Sequence, residues 1–385
     1  MQRIHRTFEK QSKQKTFNKL WHPIKKMLPA VPPLLSRGDR PLQMTFEDQL
    51  KALVFFHLED HTSAKHLIDV LEKDTFARSH IAPKDGIKKS SFSEAINTRG
   101  LEQLTYVFNE LQAQATKTIP PEYKQLGDLV AIDGSLIDAV LSMTWADYRD
   151  GSKKAKIHLG FDINRSIPKK LFLTDGKAGE RPFVEQILAE NETGVLDRGY
   201  QCHERFDQWQ TDEKHFICRI MAGTIKKCIK NNELKPDSIV FYDAIGLLGN
   251  PGINQTEKPL RIIAYRVDGV NYWIATDRFE LAAEDIALAY KLRWEIENFF
   301  AWWKRHLKVY HLIARSEYGL MVQILAGLIT YLLLAIYCQE NYKEKVSIKR
   351  VRELRIQILN ESRGDNPRKK RSSRRPKKNI SRAKT

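Results

Sequence analysis

The sequence predicts an α/β protein: a mixed core that carries a β-rich insertion and is preceded by a small all-α domain. Three observations carry that expectation. Between Met44 and Ala115 apolar residues recur at three- and four-residue steps, the spacing of one helix face. From Asp128 to Ile220 short apolar runs alternate with helical patterns, which argues for strands and helices around a shared sheet. Between 221 and 279 the runs are strand-like and no helical pattern interrupts them.

Each element follows from its own residues. Residues 1–43 read as a basic N-terminal arm of loose structure, because Pro29, Pro32, Pro33 and Pro41 break helical hydrogen bonding. Residues 44–125 read as a helical, DNA-binding domain. Phe46, Leu50, Leu53 and Val54, then Leu67, Val70 and Leu71, mark apolar helix faces. Ser91-Phe92-Ser93-Glu94 has the form of a capping box, and a further helix is expected from Leu101 to about Ala115. Basic loop residues, Lys84, Lys88, Lys89 and Arg99, suit a polyanionic partner.

Residues 126–220 read as the first part of the core. Asp128 to Asp133 is a buried strand leading into a Gly-containing turn. Further strands are expected at 156–163, 170–174, 194–197 and 215–220, with helices at 181–190 and 203–213. Residues 221–279 form the β-rich insertion, with strands at 238–242, 260–267 and 272–276 and a hairpin turn at Asp268-Gly269-Val270-Asn271. Residues 280–345 complete the core. One long helix should run from Ala282 to Tyr310, followed by an uncharged apolar stretch from Leu320 to Cys338. That stretch is long enough to span a bilayer, and a fully buried core helix is the preferred reading. Residues 346–385 read as a basic tail, largely disordered.

Composition narrows the function. Hydrophobic residues make up 42% and aromatics 10% of the 385 residues, so the chain can bury a core and is not disordered throughout. The net charge of +17 is concentrated at the two ends: +8 within 1–43 and +10 within 363–385, against −1 for the rest. Basic arms on a neutral body favour a polyanion such as DNA. Four cysteines, Cys202, Cys218, Cys228 and Cys338, show no paired spacing, which argues against a structural zinc site and fits a reducing cytosol. The first residues have no apolar run of secretory type.

Two acids stand out. Asp133 and Asp197 each end a short apolar strand and precede a turn with Gly. They are either turn-forming residues or a pair able to share a divalent cation, which prefers carboxylate oxygen. The long helix offers a third acid. At about 100° per residue, Tyr290, Arg293, Glu297 and Lys304 fall on one stripe roughly 60° wide, while Glu295 faces elsewhere. Such a stripe could hold metal and phosphate or could be an exposed row of salt bridges. The residues alone leave both readings open.

The spacing Tyr-x2-Arg-x3-Glu-x6-Lys, met by Tyr290, Arg293, Glu297 and Lys304, resembles the signature of the DDE-type bacterial insertion-sequence transposases, in their IS-four branch. Asp133-Gly134-Ser135 and Asp197-Arg198-Gly199-Tyr200 resemble that family's first and second acidic motifs, and the β-rich stretch resembles its insertion. The likeness spans about Leu129 to Tyr310. It implies a ribonuclease H-like catalytic core in which Asp133, Asp197 and Glu297 hold two Mg²⁺ ions, with Mn²⁺ as a substitute. It implies cleavage at the ends of an insertion sequence and joining of the 3′-hydroxyls to target DNA. Tyr290, Arg293 and Lys304 would contact DNA phosphates, Arg198 would add another contact, and Trp273 would stack on a base. The implied partners are double-stranded DNA and, in a synaptic complex, a second copy of the chain, with no membrane and no small-molecule substrate. The bacterial cytoplasm, beside the nucleoid, is the expected location. A nuclease of the same fold that cleaves without joining, or an inactive DNA-binding relic, would share much of this pattern.

Overall fold

The computed structural model describes residues 16–34, 42–59, 61–149 and 151–364. Helices α1 (Thr16–Met27), α2 (Phe46–Leu58), α3 (Ala64–Lys73), α4 (Thr75–His80), α5 (Lys89–Thr98) and α6 (Leu101–Thr118) come first. Strands β1 (Leu129–Ala139), β2 (Lys153–Asp162) and β3 (Ile167–Asp175) follow as a meander. Then come α7 (Val184–Ile187), β4 (Thr193–Leu196), α8 (His203–Thr211) and β5 (His215–Ile220). Strands β6 (Lys226–Asn231), β7 (Val240–Leu248), β8 (Leu260–Val267) and β9 (Val270–Thr276) precede α9 (Ala283–Leu292), α10 (Trp294–His306), α11 (Glu317–Tyr342) and α12 (Ile348–Gly364).

Among the described residues one sheet of nine strands forms, in the order β3-β2-β1-β4-β5-β9-β8-β7-β6. β1, β2 and β3 pair antiparallel, whereas β1, β4 and β5 run parallel. The β-rich stretch is therefore no separate unit: β9 pairs with β5 and extends the sheet. Its hairpin turn falls on Asp268 and Gly269, both at positive φ, the backbone that a two-residue turn of this hand requires.

Alternation along the strands sorts the core into two halves. Leu129, Ala131, Val195 and Ile217 join the large core formed with α2, α6, α10 and α11. Val130, Ile132, Leu196 and Cys218 face the other way, onto Phe206 and Trp209 of α8. Gly160 of β2 lies under Ile187 of α7, and a Cβ there would stand 2.3 Å from Ile187 Cγ2. Gly160→Ala should therefore cost about 1–3 kcal/mol by overpacking. Denaturant titration checks this, and Ile187→Ala in the same chain should recover part of the loss.

α11 is the axis of the helical half. It packs on α1, α2, α5 and α6, and from Gly319 to Cys338 every residue but the half-buried Met321 is buried. The apolar stretch is thus enclosed by protein, as a core helix would be. The same packing ties the N-terminal helices to the helices around the sheet in one continuous core, so they do not form a core of their own.

Several local expectations need correcting. Within the expected arm, Thr16–Met27 is a helix that buries Phe17, Leu20, Trp21 and Ile24; residues 1–15 and 35–41 of it lie outside the described residues. Within the expected tail, α12 buries Val351, Leu354 and Ile358 at helical spacing, a stripe hidden by its many charges; 365–385 lie outside the described residues. Ser91 does not cap a helix. α5 starts two residues earlier, with no side-chain cap, and the Ser91 hydroxyl donates to Gln43. The capping box belongs to Thr45 and Asp48 at the start of α2. The helix expected over 181–190 shrinks to one short turn and α7.

His57 of α2 fastens this helical half to the sheet side. Its ring nitrogens lie 2.6 Å from the Leu307 carbonyl and 3.1 Å from the Gln323 carbonyl. Burial outweighs both contacts and lowers the imidazole to about 4. The unfolded chain, near 6.5, then binds the proton more tightly. The contribution of this group should be flat above pH 6.5 and fall as pH drops towards 4, by up to about 3 kcal/mol. His158, stacked on Phe183 and also lowered to about 4 by burial, adds to the slope. Denaturation midpoints measured against pH should show a shallower acid-side slope in His57→Gln.

Candidate active site

β1 does not turn at Asp133-Gly134-Ser135 but continues to Ala139, with Asp133 opposite Leu159 of β2. This corrects the expected strand end. Antiparallel pairing with β2 carries the strand onward, whereas its other neighbour, β4, accompanies it only over Leu129–Ala131. Extending that parallel register by two residues sets Asp197 beside Asp133. Asp197 does end its strand, and its Oδ1 accepts the Gly199 N–H at 2.7 Å in the turn that follows. Both aspartates continue the alternation of Ala131 and Val195, on the face covered by α10.

The expected long helix is broken at Arg293 into α9 and α10. The Arg293 N–H bonds to the Tyr290 carbonyl, and the Ile296 N–H to that of Arg293, a tighter turn than an α-helix. The stripe survives the break. Arg293 Nη2 donates to Glu297 Oε1 at 2.7 Å, and the guanidinium lies 5.8 Å from the Tyr290 ring centroid. Lys304 Nζ donates to the Leu136 carbonyl at 2.6 Å, on the edge of β1 that β4 leaves free. Glu295 instead acts on Tyr331 of α11, so the two acids of the helix face different neighbours.

The electrostatics are those of crowded carboxylates. Burial first, and then Glu180 and Asp197, push Asp133 up to about 7 against the Gly134 N–H and Arg293. A buried carboxyl beside other carboxylates is short of positive charge, and its oxygens are the donors that a hard divalent cation takes. On that ground the two aspartates suit a hard divalent cation. Glu297 is drawn to Arg293, however, and among the described residues no three Asp, Glu, His or Cys side chains converge on one ion.

Two residues of the site escaped the sequence reading. Arg219 of β5 shares the alternation of Ile217 and so faces α9. It lies 4.7 Å from the Tyr272 ring centroid, and with Arg293 it acts on the Tyr290 hydroxyl. Alternation along β5 was the signal for it. Glu180 had none. It comes from the loop after β3, accepts from the Tyr200 hydroxyl at 3.0 Å, and pairs with Lys156. At Gly134 a Cβ would stand 2.5 Å from Glu180 Oε1, so a larger residue there would displace that carboxylate.

Of two further expected contacts, one stands beside the acids and one does not. Arg198 is exposed in the turn after β4. Trp273 sits on the other face of the sheet, packed with Tyr242 and beneath the Lys226 ammonium at 4.3 Å. The aromatic rings that reach the acidic face are Tyr265 and Tyr272, stacked at 5.2 Å and continuing to Tyr290.

Comparison with known proteins gives consistent matches. Residues 124–333 match the family model described as a transposase DDE domain. The chain is 29% identical to the probable transposase for insertion sequence element IS5377 of Geobacillus stearothermophilus, over 54% of this chain and 55% of that one. It is 28% identical to the putative transposase y4zB of Sinorhizobium fredii, over 57% of this chain and 63% of that one. It is 24% identical to the putative transposase for insertion sequence element IS4SA from a Synechocystis species, over 64% of this chain and 70% of that one. The matches thus span between about half and two thirds of the first two relatives' length. Among solved structures it is similar to a piggyBac transposase synaptic complex with hairpin DNA, at 12% identity and a TM-score of 0.41, over 93% of this chain and 81% of that one.

Proposed function

The chain belongs to the transposase DDE-domain family, and from that membership we propose that it is a DNA transposase acting on the terminal inverted repeats of an insertion sequence. It cleaves at the ends and joins the freed 3′-hydroxyls to target DNA. The observation that carries this reading is the register of β1 and β4, which sets Asp133 beside Asp197 under the helix of Glu297. The order β3-β2-β1-β4-β5, with its first three strands antiparallel and its last three parallel, supports a ribonuclease H-like core.

Asp133, Asp197 and Glu297 would hold Mg²⁺ or Mn²⁺, and the metal would supply polarisation of the attacking and leaving oxygens in phosphoryl transfer. The remaining work falls to side chains. Arg293, Arg219 and Lys304 stand beside the acids as donors for phosphate oxygens. Tyr290 holds the two guanidinium groups in orientation through its hydroxyl. Arg198, exposed beside Asp197, is a further phosphate contact. A protomer pair in a synaptic complex would bring two ends together. Trp273 would need an approach from the opposite face of the sheet to stack on a base.

The test is an assay with duplexes carrying the flanking inverted repeat, in Mg²⁺ and in Mn²⁺. Nicking at the repeat boundary followed by transfer of the 3′-end to a second duplex supports the proposal. Nicking without transfer indicates a nuclease of the same fold. Binding without nicking in either metal indicates an inactive relic.

A further inference from the structure

A cavity of about 250 Å³ opens between the C-terminal end of α10 and the start of α12. It is lined by Arg305, His306, Lys308, Arg352 and Arg355, with Ile348 and Val351 as its apolar wall. Among the described residues no carboxylate lines it. Arg305 and Arg352 are exposed, so these two cations are open to solvent, whereas Arg355 is half-buried and donates to the Leu58 and His306 carbonyls.

Ordinary helix electrostatics do not account for this cluster. Cations near the end of α10 are expected, because a helix C-terminus attracts them. The start of α12 is the reverse case. A helix start carries partial positive charge and favours acids, yet the first turn of α12 has none and Lys349, Arg350 and Arg352 follow. Arg350 is neutralised by Glu344 and Glu353, whereas Arg352 turns to the cavity. Burial and the charges of Arg305, Arg355, Lys308 and Arg352 together push His306 below the usual imidazole range. Positive groups from two helices therefore converge on a space of several water volumes, at about 30 Å³ each. That is a site built for an anion with several oxygen acceptors.

We propose that this cavity binds a phosphate group, taken from the backbone of bound nucleic acid. It lies past the end of α10 remote from Glu297, about 13 Å along the helix from that residue at 1.5 Å per residue. It would hold DNA away from the reacting phosphate. The chain after α12 continues the same charge, with ten Lys/Arg and one Asp over 365–385. The choice of nucleic acid as the phosphate source rests on the transposase reading, whereas the anion site itself does not.

The experiment uses the full chain and Arg305→Ala/Arg352→Ala, with Arg305→Lys/Arg352→Lys as the charge-retaining control. Both side chains are exposed, so melting without ligand should be unchanged. Affinity for a short duplex is measured against salt by fluorescence anisotropy. The log–log salt slope should fall by about one for a lost phosphate contact, equally for repeat and random sequences, and the lysine variant should retain it. In parallel, inorganic phosphate should raise the melting temperature of the wild type and not of the alanine variant. A phosphate effect without a slope change keeps the site and assigns it to free phosphate. If the wild type binds no duplex, the transposase reading falls while the phosphate arm still decides the cavity. Neither response differing between wild type and alanine variant overturns the proposal.

Discussion

Glu297→Gln is expected to lower metal-dependent strand cleavage by on the order of 10³-fold, the scale of losing a group that stabilises transition-state charge, while end binding and melting stay near wild type. Asp133→Asn and Asp197→Asn should behave alike, because register puts them on adjacent strands of one face. The discriminating control is Glu295→Gln. Glu295 is two residues away on the same helix but acts on Tyr331 of α11, so its loss should leave cleavage within a few-fold of wild type. An inactive Glu295→Gln beside an active Glu297→Gln would overturn the assignment of the third acid. Arg293 adds a second readout. It holds Glu297 at 2.7 Å, so Arg293→Ala frees that carboxylate and removes a phosphate donor together. Cleavage should fall, with part of the loss seen as a changed dependence on metal concentration.

How much of this was legible in the sequence depends on the range of the interaction that fixes each element. Alternation and helical spacing are local, and they gave β5 and β8 with correct ends and α6 to within a few residues. The facial stripe on the long helix also survived, because a single tight turn at Arg293 changes direction little over one helical turn. The failures are non-local. β1 runs on past Asp133 because β2 pairs with it to the end, and no feature of Asp133-Gly134-Ser135 announces that. β6 was missed because its residues are nearly all exposed, leaving no apolar pattern to read. α1 and α12 looked like parts of arms because the charge and proline of the segments around them, 1–43 and 346–385, dominate the composition. What folds them is a stripe of large apolar residues meeting the helical core. Glu180 is the clearest case at the site. Only the folded chain carries it to Gly134 and Tyr200.

The sheet extension owes its position to one buried ion pair, and Arg261→Met should expose this as the largest single loss of stability. Arg261 of β8 donates from Nε and Nη2 to the two oxygens of Asp243 on β7, at 3.0 and 2.7 Å. Its Nη1 reaches the Phe279 carbonyl at 3.1 Å and also the Leu281 carbonyl. The two side chains are only 10% and 3% exposed. Methionine fills similar space but leaves Asp243 buried with, among the described residues, only Asn232 as a side-chain donor. It also leaves two carbonyls without their donor. An uncompensated buried charge of this kind costs about 3–5 kcal/mol. Arg261→Lys should fall between, since an ammonium cannot reproduce the fork. Arg261→Met/Asp243→Leu should be more stable than Arg261→Met alone, because the desolvated carboxylate goes with its partner. The carbonyls of Phe279 and Leu281 precede α9, which carries Tyr290. Loosening them should therefore weaken duplex binding below the melting temperature as well. A stable Arg261→Met with unchanged binding would mean that the extension is held by its strand ladder alone.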